Sequence, residues 1–323
     1  MSIFLVTGGA GFIGSAFVRT LLNAYPDASV INIDALTYAG SMANLEGLDR
    51  QRHRFLHGDI CDRDTVLKAI PENCDAVFNF AAESHVDRSL DSADKFIRTN
   101  VLGTQVLLDA VREKRVRRFI QISTDEVMGS LSENTEELFT ESSPLRPNSP
   151  YAASKAAAEM LVRAAVVSHG VDAVITRSGN NYGPRQFPEK LIPLVIKNAL
   201  DERPLPIYGD GMNVRDWIHV DDNCRAVLLA YEKGRSGETY NIGAGCQKRN
   251  LDVVRFILKE MNKPESLIEF VTDRPGHDRR YATDPNKAET ELGWKPEIIW
   301  ENGIKQTTAW YVDKWNKKRP LKK

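Results

Sequence analysis

The chain is poor in cysteine, with only 4 in 323 residues. Cys61, Cys74, Cys224 and Cys246 form no CxxC pair and have no flanking histidine pattern. That scarcity excludes a disulfide framework and a zinc site, and predicts reduced core thiols. An excess of one charge sign is missing too: Lys and Arg number 43 against 44 Asp and Glu, a net charge of -1. No global field therefore favours nucleic acid or an anionic membrane as partner. Uninterrupted apolar stretches run to a few residues, far below the roughly 20 that a bilayer-spanning helix needs. The N-terminus lacks a basic region and a long apolar one, so no signal peptide is read and a cytoplasmic location is expected. Internal repeats and low-complexity segments are absent. What remains is globular composition, 42% hydrophobic and 27% charged. The length predicts two domains, or one large domain with an appendage.

Hydrophobic patterning then gives the fold class. Apolar runs at 2–7, 29–34, 53–57, 75–80, 117–122 and 172–177 predict strands. Amphipathic patterns at 12–24, 64–70, 93–114 and 151–168 predict helices between them. Nearly unbroken apolar strands alternating with helices predict an α/β fold, a Rossmann-type doubly wound parallel sheet covered on both faces. Gly170 sits where the helix at 151–168 should end, in the left-handed C′ position. After Arg177 the texture changes. Pro184, Pro188, Pro193, Pro204 and Pro206 punctuate the chain, with glycines at 209 and 211. Residues 214–231 and a strand at 238–243 are expected to rejoin the first unit, and helices are expected near 250–261, 285–292 and 301–316. The proposed division is a first domain over 1–178, rejoined by 214–243, and a smaller mixed α/β domain over 179–213 and 244–323. The basic tail at 314–319 reads as a solvated helix end.

Thr7-Gly8-Gly9-Ala10-Gly11-Phe12-Ile13-Gly14 follows the first strand and opens the first helix. Gly8, Gly11 and Gly14, with Gly9, give the tight turn, the close approach of a pyrophosphate and the helix-on-strand packing of a dinucleotide site. The helix N-terminus adds unpaired N–H groups for the phosphates. Asp34 ends the second strand, where a carboxylate accepts hydrogen bonds from ribose hydroxyls and repels a 2′-phosphate. NAD is therefore favoured over NADP. Asp59, after the third strand, reads equally as an adenine contact or a turn residue.

Tyr151 and Lys155 stand at i and i+4, on one helix face. An NAD fold needs a base to take a hydroxyl proton as hydride leaves, and a phenol titrating near ~10 must be acidified by about three units for that. One cation about 4 Å away at an effective dielectric near 20 supplies ~4 kcal/mol, roughly that shift. Lys155 and a positive nicotinamide ring are expected to provide it. Ser123 or Thr124 would orient the substrate hydroxyl.

Longer strings narrow the reading: Ala81-Ala82-Glu83-Ser84-His85-Val86-Asp87-Arg88-Ser89, Ser123-Thr124-Asp125-Glu126-Val127 and Asn180-Asn181-Tyr182-Gly183-Pro184. To these are added Phe187-Pro188-Glu189-Lys190-Leu191-Ile192-Pro193, Arg215-Asp216-Trp217 and the run from Asp273 to Tyr281 (DRPGHDRRY). With the glycine loop, Asp34 and the Tyr151/Lys155 pair, the chain resembles the extended short-chain dehydrogenase/reductase superfamily. Within it, the chain resembles the dTDP-glucose 4,6-dehydratases over essentially its whole length. Sugar-nucleotide epimerases share the first motifs but lack the Asp-Glu pair after Thr124.

The resemblance implies a hydro-lyase with a bound NAD and an internal redox cycle. Tyr151, supported by Lys155 and Thr124, takes the C4 hydroxyl proton as hydride passes to NAD. Glu126 removes the C5 proton, Asp125 protonates the departing C6 hydroxyl, and the hydride returns to C6. One carboxyl must accept while its neighbour donates. Read position by position, the resemblance implies cofactor contacts at Phe12, Ile13, Asp34, Ala35, Leu36, Thr37, Asp59, Ile60, Ala81, Ala82, Ser84 and Thr99. Tyr151, Lys155 and Asn181 join them. It implies nucleotide-sugar contacts at Ser84, Thr124, Asn180, Lys190, Leu191, Pro206, Ile207, Tyr208, Arg215, Asn250, Arg274 and His277. A diphosphate favours arginine forks, which agrees with Arg215 and Arg274. The smaller domain would then hold the nucleotide sugar. The superfamily also implies a homodimer through the helices at 93–114 and 151–168. No metal is implied.

Two departures stand out. Met128 replaces the tyrosine of the usual Asp-Glu-Val-Tyr-Gly, and Gly179 stands where a serine or cysteine is common. Both changes predict a roomier sugar pocket that would admit a 2-acetamido group. At this level dTDP-glucose and UDP-N-acetylglucosamine both stay open as substrates, with a 4-epimerase as the further alternative.

Overall fold

The computed structural model describes residues 2–317; of the basic tail, residues 318 and 319 lie outside them. The described residues form twelve strands: β1 (Ile3–Thr7), β2 (Ser29–Asp34), β3 (His53–His57), β4 (Ala76–Asn79), β5 (Arg118–Thr124) and β6 (Ala173–Ser178) come first. β7 (Asn180–Tyr182), β8 (Leu205–Tyr208), β9 (Val214–His219), β10 (Thr239–Ile242), β11 (Gln247–Arg249) and β12 (Ile268–Val271) follow. Seven make one sheet in the order β10-β6-β5-β4-β1-β2-β3, parallel throughout. This is the doubly wound sheet that the apolar strands predict.

Both faces of that sheet are covered. Phe17, Val18 and Leu21 of helix Phe12–Ala24 pack on one side with Val227 and Ala230 of helix Val220–Lys233. Leu107, Leu108 and Val111 of helix Gly103–Glu113 pack on the other with Val162 and Ala165 of helix Pro150–His169. The strand order reverses between β1 and β4, so their C-terminal ends open a crevice where ligands of such sheets bind. Within residues 214–243, β9 pairs in a three-stranded sheet of order β11-β9-β7. The helix after it and β10 belong to the large sheet. A two-stranded sheet, β12-β8, and helices Leu191–Leu200, Asn250–Glu260 and Trp300–Asn316 enclose a separate core around Val195, Ile196, Val254, Ile257 and Ile304.

The helix carrying Tyr151 starts and stops for local reasons. Ser149 Oγ accepts the Ala152 N–H at 3.1 Å, Pro150 occupies the first turn, and Gly170 at φ 67° ends it. The helix expected over 93–114 is interrupted. It is α-helical at Asp94–Phe96, π-helical at Ile97–Leu102 and α-helical again at Gly103–Glu113. The wide turn brings Asn100 inward, where its amide bonds Glu83 N–H and C=O and Ser154 Oγ. Local packing of a polar residue outweighs the regular period there, as π-bulges often do at functional sites. No helix among the described residues is long and apolar enough to cross a membrane.

One ion pair is fully enclosed. Arg177 at the end of β6 donates to Glu159 from Nε at 3.0 Å and from Nη2 at 2.7 Å. The two side chains are 6% and 1% exposed. Glu159→Gln leaves a buried guanidinium without its countercharge, and the expected loss is about 3 kcal/mol of unfolding free energy in urea titrations. Replacing both partners by Leu and Met should recover most of it, since two desolvated charges are removed together.

Candidate active site

The glycine loop leaves β1 under tight steric control. Gly8 has φ 67°, and a Cβ there would lie 2.6 Å from the Ala81 nitrogen. A Cβ on Gly14 would lie 2.3 Å from the Gly8 carbonyl oxygen. Only glycine lets the loop, helix and β4 edge approach this closely. Helix Phe12–Ala24 has Gly11 as N-cap and no side-chain cap, so its first N–H groups face the crevice unpaired. Asp34 reaches across from β2. Its Oδ2 accepts Ala10 N–H at 2.9 Å and its Oδ1 accepts Leu36 N–H at 2.8 Å. Burial raises the Asp34 pKa, and those two N–H bonds oppose the rise.

A cavity of about 310 Å³ runs along the C-terminal edge of the large sheet. Every residue expected to contact the cofactor lines it except Leu36, which holds Asp34 from behind at φ 49°. Thr124, Glu126, Tyr151 and Lys155 line the same cavity, as do Ser84, Asn180 and Lys190. Asp125 sits directly behind its wall, 2% exposed.

The two adjacent carboxyls are held by one turn. Residues Asp125–Met128 form a 3₁₀ helix capped by Thr124, whose Oγ1 accepts Glu126 N–H at 3.3 Å and donates to Asp125 Oδ1 at 3.3 Å. Asp125 Oδ2 is buried without a partner. Burial, then the charges of Glu126 and Asp216, push the Asp125 carboxyl well above its ordinary value. Glu126 is also raised by burial, but Arg274, Lys190 and Arg215 pull it back. Burial thus favours the protonated form of Asp125 beside a carboxyl whose anion three cations favour, which equips the pair for proton donation and proton removal.

Tyr151 and Lys155 lie on the first turns of helix Pro150–His169. Burial, then Glu126 and Asp125, push the phenol well above its ordinary value, and a hydrogen bond with Thr124 only partly opposes this. Lys155 Nζ donates to the Ile122 carbonyl at 2.5 Å, and burial pushes the ammonium down to about 8.

Four further buried atoms lack partners at this end of the sheet: Ser123 Oγ, Asn180 Oδ1, Asn181 Oδ1 and Glu189 Oε1. Leaving such atoms unpaired costs about 1–3 kcal/mol each. All four residues line the cavity, so its wall suits a polar ligand. The uncapped helix, the glycine cradle and Asp34 together fit a dinucleotide.

The remaining expected substrate residues lie outside the enclosed cavity. Arg215 stacks 4.4 Å over Tyr281 and donates to the carbonyls of Val214 and Asp278. Arg274 and Tyr208 both bond Asp87, and His277 Nδ1 meets Asp273 at 2.6 Å. Pro206 is exposed beside Tyr208 on β8. Ile207, 2% exposed, belongs to the smaller core, and Leu191 packs against it. Asn250 begins a helix and donates its N–H to Asn213 O.

Of the two departures, Gly179 lines the cavity and Met128 does not. Met128 is 2% exposed in an inner cluster, with its sulfur 3.7 Å from Arg177 Nη1. A Cβ on Gly179 would meet the Asp216 carbonyl oxygen at 2.7 Å, so glycine answers close backbone packing there. Motif reading missed Tyr38, Glu83, Gln186 and Phe187, which also line the cavity. Glu83 and Phe187 stand inside strings already singled out. Tyr38 carried no local signal; it is placed by the Arg88 guanidinium 4.0 Å over its ring and by Phe187 edge-on.

The chain matches the family described as GDP-mannose 4,6 dehydratase over residues 5–307. It is 52% identical to the low-salt glycan biosynthesis protein Agl12 of Haloferax volcanii, over 95% of this chain and 98% of that one. It is 49% identical to the dTDP-glucose 4,6-dehydratase of Streptomyces niveus, over 98% of this chain and 95% of that protein. The crystal structure of DesIV, the dTDP-glucose 4,6-dehydratase of Streptomyces venezuelae with NAD bound, superposes with a TM-score of 0.94 at 49% identity, covering 97% of this chain and 98% of DesIV. With motif, fold and site in agreement, the chain belongs to this nucleotide-sugar 4,6-dehydratase family and stands with its dTDP-glucose 4,6-dehydratases.

Proposed function

We propose that the protein is an NAD-dependent hydro-lyase that converts dTDP-glucose to dTDP-4-keto-6-deoxyglucose. The observation that carries this reading is the Asp125–Glu126 pair on one turn, with Glu126 on the same cavity as Tyr151 and Asp125 directly behind its wall. Gly8, Gly11, Gly14 and the uncapped helix hold the cofactor's pyrophosphate, and Asp34 holds a ribose. When bound, NAD supplies reversible hydride exchange with the sugar and a positive ring charge beside Tyr151. Tyr151 takes the C4 hydroxyl proton, with Thr124 orienting that hydroxyl. The C4 ketone acidifies C5, and Glu126 takes the C5 proton. Asp125 protonates the C6 hydroxyl, which leaves as water, and Glu126 then returns its proton to C5. The proton gained by Tyr151 balances the one Asp125 gives up. Lys190, Arg215 and Arg274 hold the diphosphate.

The acetamido alternative draws no support from Met128, which lies in an inner cluster away from the cavity. A 4-epimerase has no use for a buried carboxyl pair. Exposed Ile97, Leu102, Met160 and Val167, on the helices at 94–113 and Pro150–His169, support a homodimer through that face. Four free cysteines support a cytoplasmic setting.

Mass spectrometry of the purified protein incubated separately with dTDP-glucose and UDP-N-acetylglucosamine, without added reductant, tests the reading. The expected result is loss of one water from dTDP-glucose alone. Water loss from the acetamido sugar alone transfers the substrate, and an isobaric product indicates epimerisation.

A further inference from the structure

Asp87 has no role in the chemistry above, yet it joins three elements. It lies in helix Val86–Asp91 beside the large sheet. Its Oδ1 accepts Arg274 Nη1 at 3.2 Å and its Oδ2 accepts the Tyr208 hydroxyl at 3.0 Å. Tyr208 ends β8 and Arg274 follows β12, so one carboxylate fixes two side chains of the smaller lobe from the larger one. Burial works against its charge, but the bonds from Arg274 and Tyr208 outweigh it and hold the carboxyl below its ordinary value.

What Asp87 leaves free on Arg274 is informative. A guanidinium offers two forks, one from Nη1 and Nη2 and one from Nε and Nη2. With Nη1 engaged by Asp87, the end-on fork is occupied. Nε is buried and has no partner. A buried, unpaired, charged donor is costly unless something accepts from it. The Arg274 backbone N–H is itself anchored on Asp273 Oδ1 at 2.9 Å, so both ends of the residue are fixed.

We propose that Asp87 is a positioning residue for the nucleotide: it pins Arg274 by Nη1 so that the Nε edge presents a bidentate fork to the substrate's diphosphate. The proposal rests on the reading of Arg274 as a diphosphate contact. The same carboxylate sets the Tyr208 hydroxyl, so the nucleotide wall of one lobe takes its geometry from a residue of the other. Asp87 itself touches neither the reacting carbons nor the phosphates.

The test is a double-mutant cycle read by calorimetric titration of the NAD-loaded protein with dTDP. Asp87→Asn keeps shape and an acceptor for Tyr208 but removes the charge that pins Arg274. Its dTDP affinity should fall by about ten- to a hundredfold, the range for losing a charge-assisted contact. KM for dTDP-glucose should rise by the same factor while kcat stays within about threefold. In an Arg274→Ala background, Asp87→Asn should have no further effect. Equal losses in both backgrounds, or unchanged dTDP affinity, overturn the proposal. Tighter dTDP binding also overturns it, because Asp87 would then compete for Arg274 rather than place it. Asp87→Ser, carried through the same cycle, serves if the Asn variant folds poorly. Failure of the wild type to bind dTDP at all strikes the functional reading instead.

Discussion

Glu126→Gln abolishes water loss from dTDP-glucose, slowing turnover by about 10²–10⁴-fold, the usual worth of a positioned general base. Glutamine keeps the size of the side chain but cannot take a proton from C5. The environment shows why the loss should be large. Glu126 is half-buried on the cavity wall, and Arg274, Lys190 and Arg215 favour its anion against the burial that opposes it. The readout that isolates this step is deuterium uptake at C5 from heavy water. It should vanish in Glu126→Gln and persist in Asp125→Asn, where elimination stalls one proton later. The pH profile follows from the same shifts. Both carboxyls titrate above their ordinary values. Glu126 must be ionised, so kcat/KM falls as pH drops through its raised value. Asp125 must be protonated, so the rate falls again as pH rises through its own. Asp125→Asn should remove only the alkaline limb. Persistent C5 exchange in Glu126→Gln would sink the assignment of the base.

The sequence made the large sheet legible because its inner strands are buried on both faces and read as apolar runs. Strand Ser29–Asp34 and helix Phe12–Ala24 fall where the pattern puts them. The glycine loop was legible for a steric reason: at Gly8 and Gly14 a Cβ would strike backbone. The smaller lobe was harder to read. β7, β11 and β12 span only 3, 3 and 4 residues, too short for a period to show. Pairing made by distant partners has no local signature at all. Tyr38 reaches the cavity because Arg88 and Phe187 fold against it, and Asp87 meets Arg274 across 187 positions of chain. The electrostatic surroundings of Tyr151 were hidden for the same reason. Spacing put Lys155 one turn from Tyr151, but spacing could not show that its ammonium would spend its hydrogen bond on Ile122 O or that two carboxyls would face the phenol.

Lys155→Met should therefore lower turnover by about 10²-fold or more while leaving the fold as stable as before or more so. Buried Lys155 titrates at about 8 against an ordinary 10.5. A depressed lysine favours its neutral form in the folded state, so its charge opposes folding at neutral pH. With about 1.4 kcal/mol per pKa unit, that penalty is on the order of 3 kcal/mol below pH 8. It shrinks as pH rises from 8 and is gone above 10.5. Methionine removes the penalty, while the Ile122 carbonyl loses a donor at a cost of about 1–3 kcal/mol. Urea titrations of the two proteins should accordingly place the variant level with the wild type or above it at pH 7, with the difference moving against the variant towards pH 10. Tyr151→Phe should lose turnover to a similar degree, because the phenol and the ammonium serve one proton transfer. Combining the two changes should cost little beyond either alone, as groups that act as a unit are not additive. A Lys155→Met protein that loses stability in step with activity would make Lys155 a structural prop. Additive losses would separate it from Tyr151, leaving the phenol to be acidified by the cofactor's charge without help from the lysine.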